Sequence, residues 1–579
     1  MARLFEEHLT RVCACLDGAW RMQADPCDVG ESEQWNLGLP NGAFTSVPSV
    51  FNLREGMLDY EGAVFYEKNF FSGGGCLRLT FDGVLTKAKV WLDGDLLGTH
   101  TGGFTGFSFI VPNAAKGWHR LTVCADNRFD AHSIPQKKVD WYHWGGIIRS
   151  VRVETLRGIA ILSERMEYTL DDTLTSAAVR VVMRLYNASG AETSDAVRVA
   201  LDGEEAASVS LTLKPHETRE VTTQPFSVQS PRLWSPESPA LYTLSLFTAT
   251  DDLADRVGFR LVEVKDGQVL LNHRPVEFRG VNRHEEHPDF GFAFPQTLMA
   301  RDLELIRNLG CNAVRGSHYP NRKDFLDLLD ESGLMFWSEI PIWGCGFSRE
   351  ALADPLIVAG GLEMHREMLE QYYNHPCILF WGMHNEIPSD CAAAVEMSRS
   401  YYRYLKERGG NRLVVYASNQ PEKDLCLQDC DCVCLNIYLG WYEGNPSDWD
   451  GYTDRILERL RALGVADKPI LYSEFGAAAL FGCHDEDTVL WSEEYQAKLL
   501  AHCLRVFHSH PAVVGAFVWQ FADIRTCPAA GINRARGFNN KGILNEYRKP
   551  KLAYHAVRQC YLEFARAESE TNGKGEMKP

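Results

Sequence analysis

Two glutamates, Glu386 and Glu474, end apolar segments of the sequence and are candidates for acting together on one substrate bond. Glu386 ends ILFWGMHNE at 378–386, and Glu474 lies in PILYSEFG at 469–476. Two carboxyl groups hydrolyse a glycosidic bond: one protonates the leaving oxygen, and the other attacks the anomeric carbon or activates water. The alternative is that both are ordinary exposed loop acids, and the aromatic and polar neighbours of each glutamate argue against it. The pair therefore predicts glycoside hydrolysis.

The neighbours of the two glutamates indicate different roles for them. Glu386 follows Trp381 and the dipeptide His384-Asn385, and an acid in an apolar, aromatic pocket has a raised pKa. We expect Glu386 to act first as general acid and then as general base. We expect Asn385 to hydrogen-bond the sugar 2-hydroxyl. Glu474, in the segment YSEFG, would be the ionised nucleophile.

These glutamates are predicted to lie on a (β/α)8 TIM barrel. After about residue 263, apolar runs alternate with amphipathic segments, and buried parallel strands have this near-continuous apolar character. A doubly wound sheet is the alternative for the same rhythm. The active site of a barrel lies at the carboxyl ends of its strands. The eight runs are 276–282, 312–320, 334–340, 378–386, 413–419, 432–438, 469–476 and 513–523.

Three other acids also lie at predicted strand ends. Glu339 ends the third run, and Glu285 and Glu286 follow the first. We interpret them as supporting or rim residues, with direct contact to a sugar as the alternative.

The chain before the barrel is predicted to be entirely β. Residues 1–155 contain short runs divided by Gly, Asp and Asn, which is typical of a jelly roll. Residues 156–262 continue with regularly spaced strand-like runs, as in an immunoglobulin-like sandwich. Residues 263–579 would form the catalytic barrel.

The composition of the 579-residue chain restricts its partners. Its formal net charge is −18, which disfavours nucleic acids and anionic membranes as partners. An anionic substrate would therefore need a local cationic site. No uncharged apolar run approaches the ~20 residues that span a bilayer, and the N-terminal residues do not resemble a secretory signal. We expect a cytoplasmic protein with reduced cysteines.

Four clustered cysteines have two interpretations. Cys430, Cys432 and Cys434 alternate, so they would share one face of a strand, and Cys426 precedes them. Zinc sites usually combine two cysteine pairs from different elements, so we favour buried strand cysteines over a metal site. No metal or other cofactor is predicted.

Several motifs along nearly the whole chain resemble the β-glucuronidases of glycoside hydrolase family 2. The resemblance implies a jelly roll, an immunoglobulin-like domain and a catalytic barrel, with retention of anomeric configuration and no organic cofactor. The motifs are LDGAW (16–20), KVWLDG (89–94), DWYHWGGIIRSV (140–151), RGVNRHEE (279–286), GCNAVRGSHYP (310–320), HNE (384–386), LNIYLGWY (435–442), SEFGA (473–477), VWQFAD (518–523) and NNKGI (539–543).

The resemblance also implies substrate-binding residues. Asn539 and Lys541 match the Asn-x-Lys motif that holds the C6 carboxylate of the sugar, and an arginine upstream would assist them. The spacing leaves Arg534 and Arg536 as candidates, and we choose Arg534. The further residues implied are Asp140 and His284 at sugar hydroxyls, Asn436, Tyr438 and Tyr442 after strand six, and Trp519 as an apolar platform.

The sequence leaves the exact sugar and the assembly open. The longer active-site loop of some family members is missing between Ile340 and Trp381, which predicts a more open mouth there. A β-D-glucuronidase is the main prediction. A β-galacturonidase, or a β-galactosidase or mannosidase, is the alternative within the family, and a non-catalytic carbohydrate-binding protein is the alternative from another class. We expect small glucuronides as substrates and a bacterial homo-oligomer, either a dimer or a tetramer.

Overall fold

The computed structural model describes residues 3–528 and 534–575. The outermost residues of the first and last predicted domains, 1–2 and 576–579, lie outside this range. Among the described residues, no helix combines the length and apolarity needed to cross a bilayer.

The carboxyl-terminal half of the chain contains a closed barrel of eight parallel strands, which confirms the predicted TIM barrel. The first strand pairs with the last, through Phe278 opposite Gly515, so the sheet has no free edge. Every predicted run contains one strand. The strands are β1 (Phe278–Asn282), β2 (Ala313–Gly316), β3 (Met335–Glu339), β4 (Ile378–Asn385), β5 (Leu413–Ser418), β6 (Val433–Asn436), β7 (Ile470–Phe475) and β8 (Val513–Val518).

Helices follow seven of these strands and cover the outside of the barrel. The connection from β5 to β6, residues 419–432, is described in full and contains no helix. Aliphatic and aromatic side chains of strands and helices form one continuous core, because the strands are buried on both faces. The helices are α1 (Gln296–Leu309), α2 (Lys323–Ser332), α3 (Pro355–Tyr372), α4 (Ala392–Arg408), α5 (Tyr452–Leu463), α6 (Glu493–Ser509) and α7 (Leu552–Gly575).

The first part of the chain folds as an antiparallel β-sandwich. Alternate residues such as Leu79 and Val123 point inward from its two sheets and share one core. The four-stranded sheet is Val12–Cys15, Val151–Leu156, Gly75–Phe81 and Phe107–Ala114, in that order. The six-stranded sheet is Ala43–Val47, Gly18–Asp25, Ala63–Ser72, Gly117–Asp126, Lys87–Leu92 and Asp95–Thr101, and Val84–Leu85 pairs with Gly146–Ile147.

A second antiparallel sandwich follows, and a small three-stranded antiparallel sheet leads from it into the barrel. One sheet is Ile159–Leu170, Ser176–Asn187 and Thr218–Thr222, with Phe226–Gln229 paired to its central strand. The other sheet is Glu204–Leu213, Thr193–Leu201, Tyr242–Phe247 and Asp252–Val257. The three short strands before the barrel are Val262–Lys265, Gln268–Leu271 and Arg274–Pro275.

The first sandwich also contributes residues to the mouth of the barrel. Its segment 139–148 joins an aromatic cluster in which Trp141 contacts Tyr319 and Trp343, both from loops after barrel strands. This packing places Asp140, the neighbour of Trp141, at the carboxyl ends of the strands. The fold therefore brings residues from two distant parts of the sequence to one site.

Candidate active site

Glu386 and Glu474 both lie at the mouth of the barrel, on strands β4 and β7. Glu474 is in β7 and only 3% exposed, whereas Glu386 follows the last residue of β4 and is half-buried. Asn436, which ends β6, donates a hydrogen bond of 2.8 Å from Nδ2 to Oε1 of Glu386. The two glutamates are close enough for the charge of one to affect the pKa of the other.

The carboxylate of Glu474 is held by two donors. The hydroxyl of Tyr438 donates to Oε2 at 2.7 Å, and Nη1 of Arg315 donates to Oε1 at 2.9 Å. A charge-assisted hydrogen bond is roughly twice as strong as a neutral one, so these two donors partly offset the effect of burial, which favours the protonated form. Both oxygens remain in a fixed orientation, as a nucleophile requires.

The pKa values of the two glutamates differ in the order that the predicted roles require. Loss of solvent, with the nearby Glu474 carboxylate, raises the pKa of Glu386 to about 8. Burial raises the pKa of Glu474 to about 7, although Arg315 and Tyr438 favour its charged form. Near neutral pH Glu386 therefore keeps its proton more readily than Glu474, and can serve as the acid.

Two asparagines connect the glutamates. Oδ1 of Asn385 accepts from Nη2 of Arg315 at 2.7 Å and from Nδ2 of Asn436 at 3.1 Å. The amide nitrogen of Asn385 is buried and has no hydrogen-bond partner among the described residues. An orphaned buried donor is costly, so this amide is available for a substrate hydroxyl.

Arg315 lies at the centre of this network and was not predicted as a site residue. Besides Glu474 and Asn385, its guanidinium donates to both oxygens of Glu339 at 3.0 Å. Arg315 and Glu339 are fully buried, so neither charge is tolerable without the other. An arginine inside the apolar run AVRG was the available signal, since a buried charge must be paired. Glu339 contacts Arg315 in this network, and its role as a supporting acid stays a prediction.

Histidines and Trp519 form the apolar side of the mouth. His284 has Nδ1 3.0 Å from the Tyr319 hydroxyl, while its Nε2 is buried without a partner within the described range. His318, which follows β2 in the motif GCNAVRGSHYP, lies with Nδ1 2.7 Å from Glu339 and Nε2 3.8 Å from Glu474. The Trp519 ring stacks on His318 at 5.0 Å. Burial holds the pKa of both histidines well below the usual range, so both are neutral.

A cationic cluster lies beside Glu386 and Glu474. Arg534 donates from Nη2 to Oδ2 of Asp140, and Asn539 donates to the same oxygen at 2.9 Å. The other oxygen of Asp140 is buried and has no partner among the described residues. Arg536, the alternative arginine, instead pairs with Glu546 at 3.0 Å, and its side chain is 54% exposed. The geometry therefore places Arg534 in the cluster and Arg536 outside it.

Lys541 is enclosed by aromatic rings next to this cluster. Its Nζ donates to the Tyr442 hydroxyl at 2.6 Å and lies 5.4 Å from the centre of the Tyr438 ring. Burial, together with the Arg534 charge, lowers the pKa of Lys541 to about 7. An incoming carboxylate would supply the missing negative partner and favour the charged lysine. Because Tyr438 also contacts Glu474, one aromatic ring lies between the Lys541 ammonium group and Glu474.

The remaining acids at the strand ends have structural contacts. Glu285 accepts from Arg149 of the first sandwich at 3.0 Å. Glu286 accepts from the backbone of Arg525 at 3.3 Å, and burial raises its pKa to about 7. Both acids connect the β1 loop to neighbouring segments, which fits the interpretation of supporting residues.

Of the four clustered cysteines, only Cys434 lies in a strand, β6, whereas Cys426, Cys430 and Cys432 lie in the connection before it, so the predicted shared strand face is not formed. All four are buried, and the thiol of Cys430 donates to the Leu427 carbonyl at 3.4 Å. Burial raises the pKa of Cys430 to about 12. Such a buried thiol is protonated at neutral pH.

The chain matches the family description "Glycosyl hydrolases family 2, TIM barrel domain" over residues 262–566, and "Glycosyl hydrolases family 2" over 159–260. It is 27% identical to a β-glucuronidase of Paenibacillus borealis, covering 96% of this chain and 98% of that protein. A solved β-galacturonidase of Eisenbergiella tayi bound to galacturonate is 33% identical, with a TM-score of 0.91 and coverage of 97% and 99%. A β-glucuronidase of Ruminococcus gnavus in complex with D-glucaro-d-lactam is 27% identical, with a TM-score of 0.86 and coverage of 97% and 99%. The chain therefore belongs to glycoside hydrolase family 2, and the predicted glycosidase is confirmed.

Proposed function

We propose that the protein is a retaining, exo-acting β-D-glucuronidase that releases glucuronic acid from small glucuronides. The observation that carries the proposal is the cluster of Lys541, Arg534 and Asn539 beside the pair Glu386 and Glu474. Three donors, two of them cationic, suit a sugar carboxylate, in a chain whose net charge of −18 would otherwise repel it.

The proposed reaction has two displacement steps at the anomeric carbon. In the first, an oxygen of Glu474 attacks that carbon while Glu386 gives its proton to the leaving oxygen, so that a glycosyl ester forms and the aglycone departs. In the second, Glu386 takes a proton from water, and the resulting nucleophile displaces Glu474. Two inversions give net retention.

Neighbouring side chains would stabilise the charge that develops on the sugar. The amide of Asn385, which has no partner among the described residues, would donate to the 2-hydroxyl, a contact that strengthens in the transition state. Nε2 of His284 and the second oxygen of Asp140, both without a partner in residues 3–528 and 534–575, suit other hydroxyls. Trp519 offers a flat apolar surface to the sugar ring.

A β-D-galacturonidase is the second candidate. The observation in its favour is that the Eisenbergiella tayi β-galacturonidase shares 33% identity with this chain, more than the 27% of the Ruminococcus gnavus β-glucuronidase. Both sugars carry the C6 carboxylate and differ at the C4 hydroxyl, so the same cationic cluster serves either one.

The test is hydrolysis of matched nitrophenyl β-D-glucuronide, β-D-galacturonide and β-D-galactoside near neutral pH. A preference for the glucuronide supports the proposal, and a preference for the galacturonide supports the second candidate. A preference for the galactoside would contradict the carboxylate-binding role of the Lys541 cluster while leaving the glutamates in place.

We further propose that the protein works in the bacterial cytoplasm as a homo-oligomer. The buried, protonated thiols of the connection before β6 suit a reducing compartment. Sedimentation equilibrium would give the oligomeric state, and a strictly monomeric protein would contradict that part of the proposal.

A further inference from the structure

The backbone around Glu386 has an unusual conformation that neighbouring segments must maintain. Glu386 has a φ of 51°, in the left-handed region that non-glycine residues occupy at a cost. Its N–H donates to the Ala417 carbonyl at the end of β5, at 2.9 Å. This hydrogen bond holds the backbone nitrogen of Glu386. The direction of the Glu386 side chain also depends on the residues that pack against the opposite face of its backbone.

The segment after β3 packs against that other side. The N–H of Asn385 donates to the Ile342 carbonyl at 2.8 Å, and Trp343 forms a parallel bridge with Asn385. The next residue is Gly344. A Cβ atom built on Gly344 would lie 1.6 Å from the carbonyl oxygen of Glu386 and 2.4 Å from the backbone nitrogen of Ile387.

These distances require a glycine at position 344, because the atoms that a methyl group would meet are backbone atoms and cannot rotate away. Gly344 begins a tight turn, in which the N–H of Phe347 donates to its carbonyl at 3.0 Å. A side chain at 344 would therefore displace either this turn or the Glu386 peptide. In either case the β3 loop would no longer hold the Glu386 peptide at its present position.

We propose that Gly344 is a positioning residue for the general acid, because its missing side chain lets the β3 loop hold the Glu386 backbone. The proposal rests on the proposed role of Glu386. It predicts that a side chain at 344 impairs proton transfer to the leaving group and leaves attack by Glu474 intact.

Leaving groups separate these two effects. A phenyl uronide needs a proton on its departing oxygen, whereas a dinitrophenyl uronide departs without one. General acid catalysis contributes typically 10²–10⁴-fold. For Gly344→Ala we expect the phenyl uronide to be cleaved about 100-fold more slowly, and the first-turnover burst of dinitrophenol to stay within a few-fold of wild type.

Gly360→Ala is the matched control. Gly360 lies in α3, and an added Cβ would meet only the end of the Ile134 side chain, at 3.3 Å. This variant should cleave both substrates at wild-type rates.

Phe347→Leu tests the proposal even if Gly344→Ala does not fold, because it loosens the turn without adding atoms at 344. It should lower the rate on the phenyl uronide several-fold more than the rate on the dinitrophenyl uronide.

Glu386→Ala distinguishes a failure of this inference from a failure of the proposed function. If Glu386→Ala shows no dependence on the leaving group, the acid role itself is wrong. If Glu386→Ala shows this dependence, the acid role stands. The positioning role of Gly344 is then overturned if Gly344→Ala or Phe347→Leu slows the two substrates equally, or leaves both rates unchanged.

Discussion

Replacing Lys541 with methionine removes one buried positive charge and keeps a side chain of similar length. In the free protein Nζ of Lys541 has the Tyr442 hydroxyl as its hydrogen-bond partner. A bound uronide would add a charge-assisted hydrogen bond worth about 1.5–3 kcal/mol. Each factor of ten in rate corresponds to about 1.4 kcal/mol, so we expect kcat/KM on the uronide to fall roughly ten- to hundredfold.

The same change should leave the hydrolysis of neutral sugars unaffected and should alter how the free energy of unfolding depends on pH. A β-galactoside makes no such bond, so its kcat/KM should not fall. Burial lowers the pKa of Lys541 from the ordinary 10.5 to about 7, so between these values the unfolded chain binds more protons than the folded protein. The free energy of unfolding therefore rises with pH across this window, and Lys541→Met should remove that part of the rise.

The assay is steady-state kinetics on matched nitrophenyl uronides and galactoside, with urea unfolding at pH 7 and pH 9. Arg536→Met is the control, since Arg536 pairs with Glu546 outside the cluster and its loss should leave uronide kinetics unchanged. An equal fall in uronide and galactoside hydrolysis in Lys541→Met would refute the carboxylate-binding role.

Three further predictions concern the catalytic centre and the cluster. The rate on the uronide should show a bell-shaped pH profile, falling below about 7 as Glu474 gains a proton and above about 8 as Glu386 loses its own; a flat profile from pH 6 to 9 would contradict these assignments. Tyr438→Phe removes a donor to Glu474, so the acidic limb should move to higher pH, and an unmoved limb would count against that contact. Arg534→Met should lower uronide kcat/KM at least tenfold while leaving circular dichroism unchanged, and wild-type kinetics would remove Arg534 from the binding site.

The sequence was sufficient to predict the barrel strands because burial on both faces leaves a continuous apolar run. All eight runs contain a strand, and Glu386 and Glu474 follow from their positions at strand ends. The boundaries at 155/156 and 262/263 stay predictions, as do the roles of the site residues. The candidate site could be predicted together with the fold because the active site of a barrel lies at the carboxyl ends of its strands.

Contacts between side chains from different strands could not be predicted from the sequence. Arg315 joins Glu339, Asn385 and Glu474, and no local pattern shows that one guanidinium can reach all three. The choice between Arg534 and Arg536 depends on a turn in which Arg536 itself has a φ of 60°, which directs neighbouring arginines to opposite sides. Such three-dimensional placement is not encoded in residue spacing alone.

The central claim is that Glu474 forms a covalent bond with the sugar. A 2-fluoro uronosyl fluoride slows both steps but the second more, so the glycosyl-enzyme should accumulate and be detectable by mass spectrometry of the digested protein. The account predicts one added sugar on the peptide that contains Glu474, and none in Glu474→Gln. Labelling of the Glu386 peptide, or turnover without label and with inversion at the anomeric carbon, would contradict it.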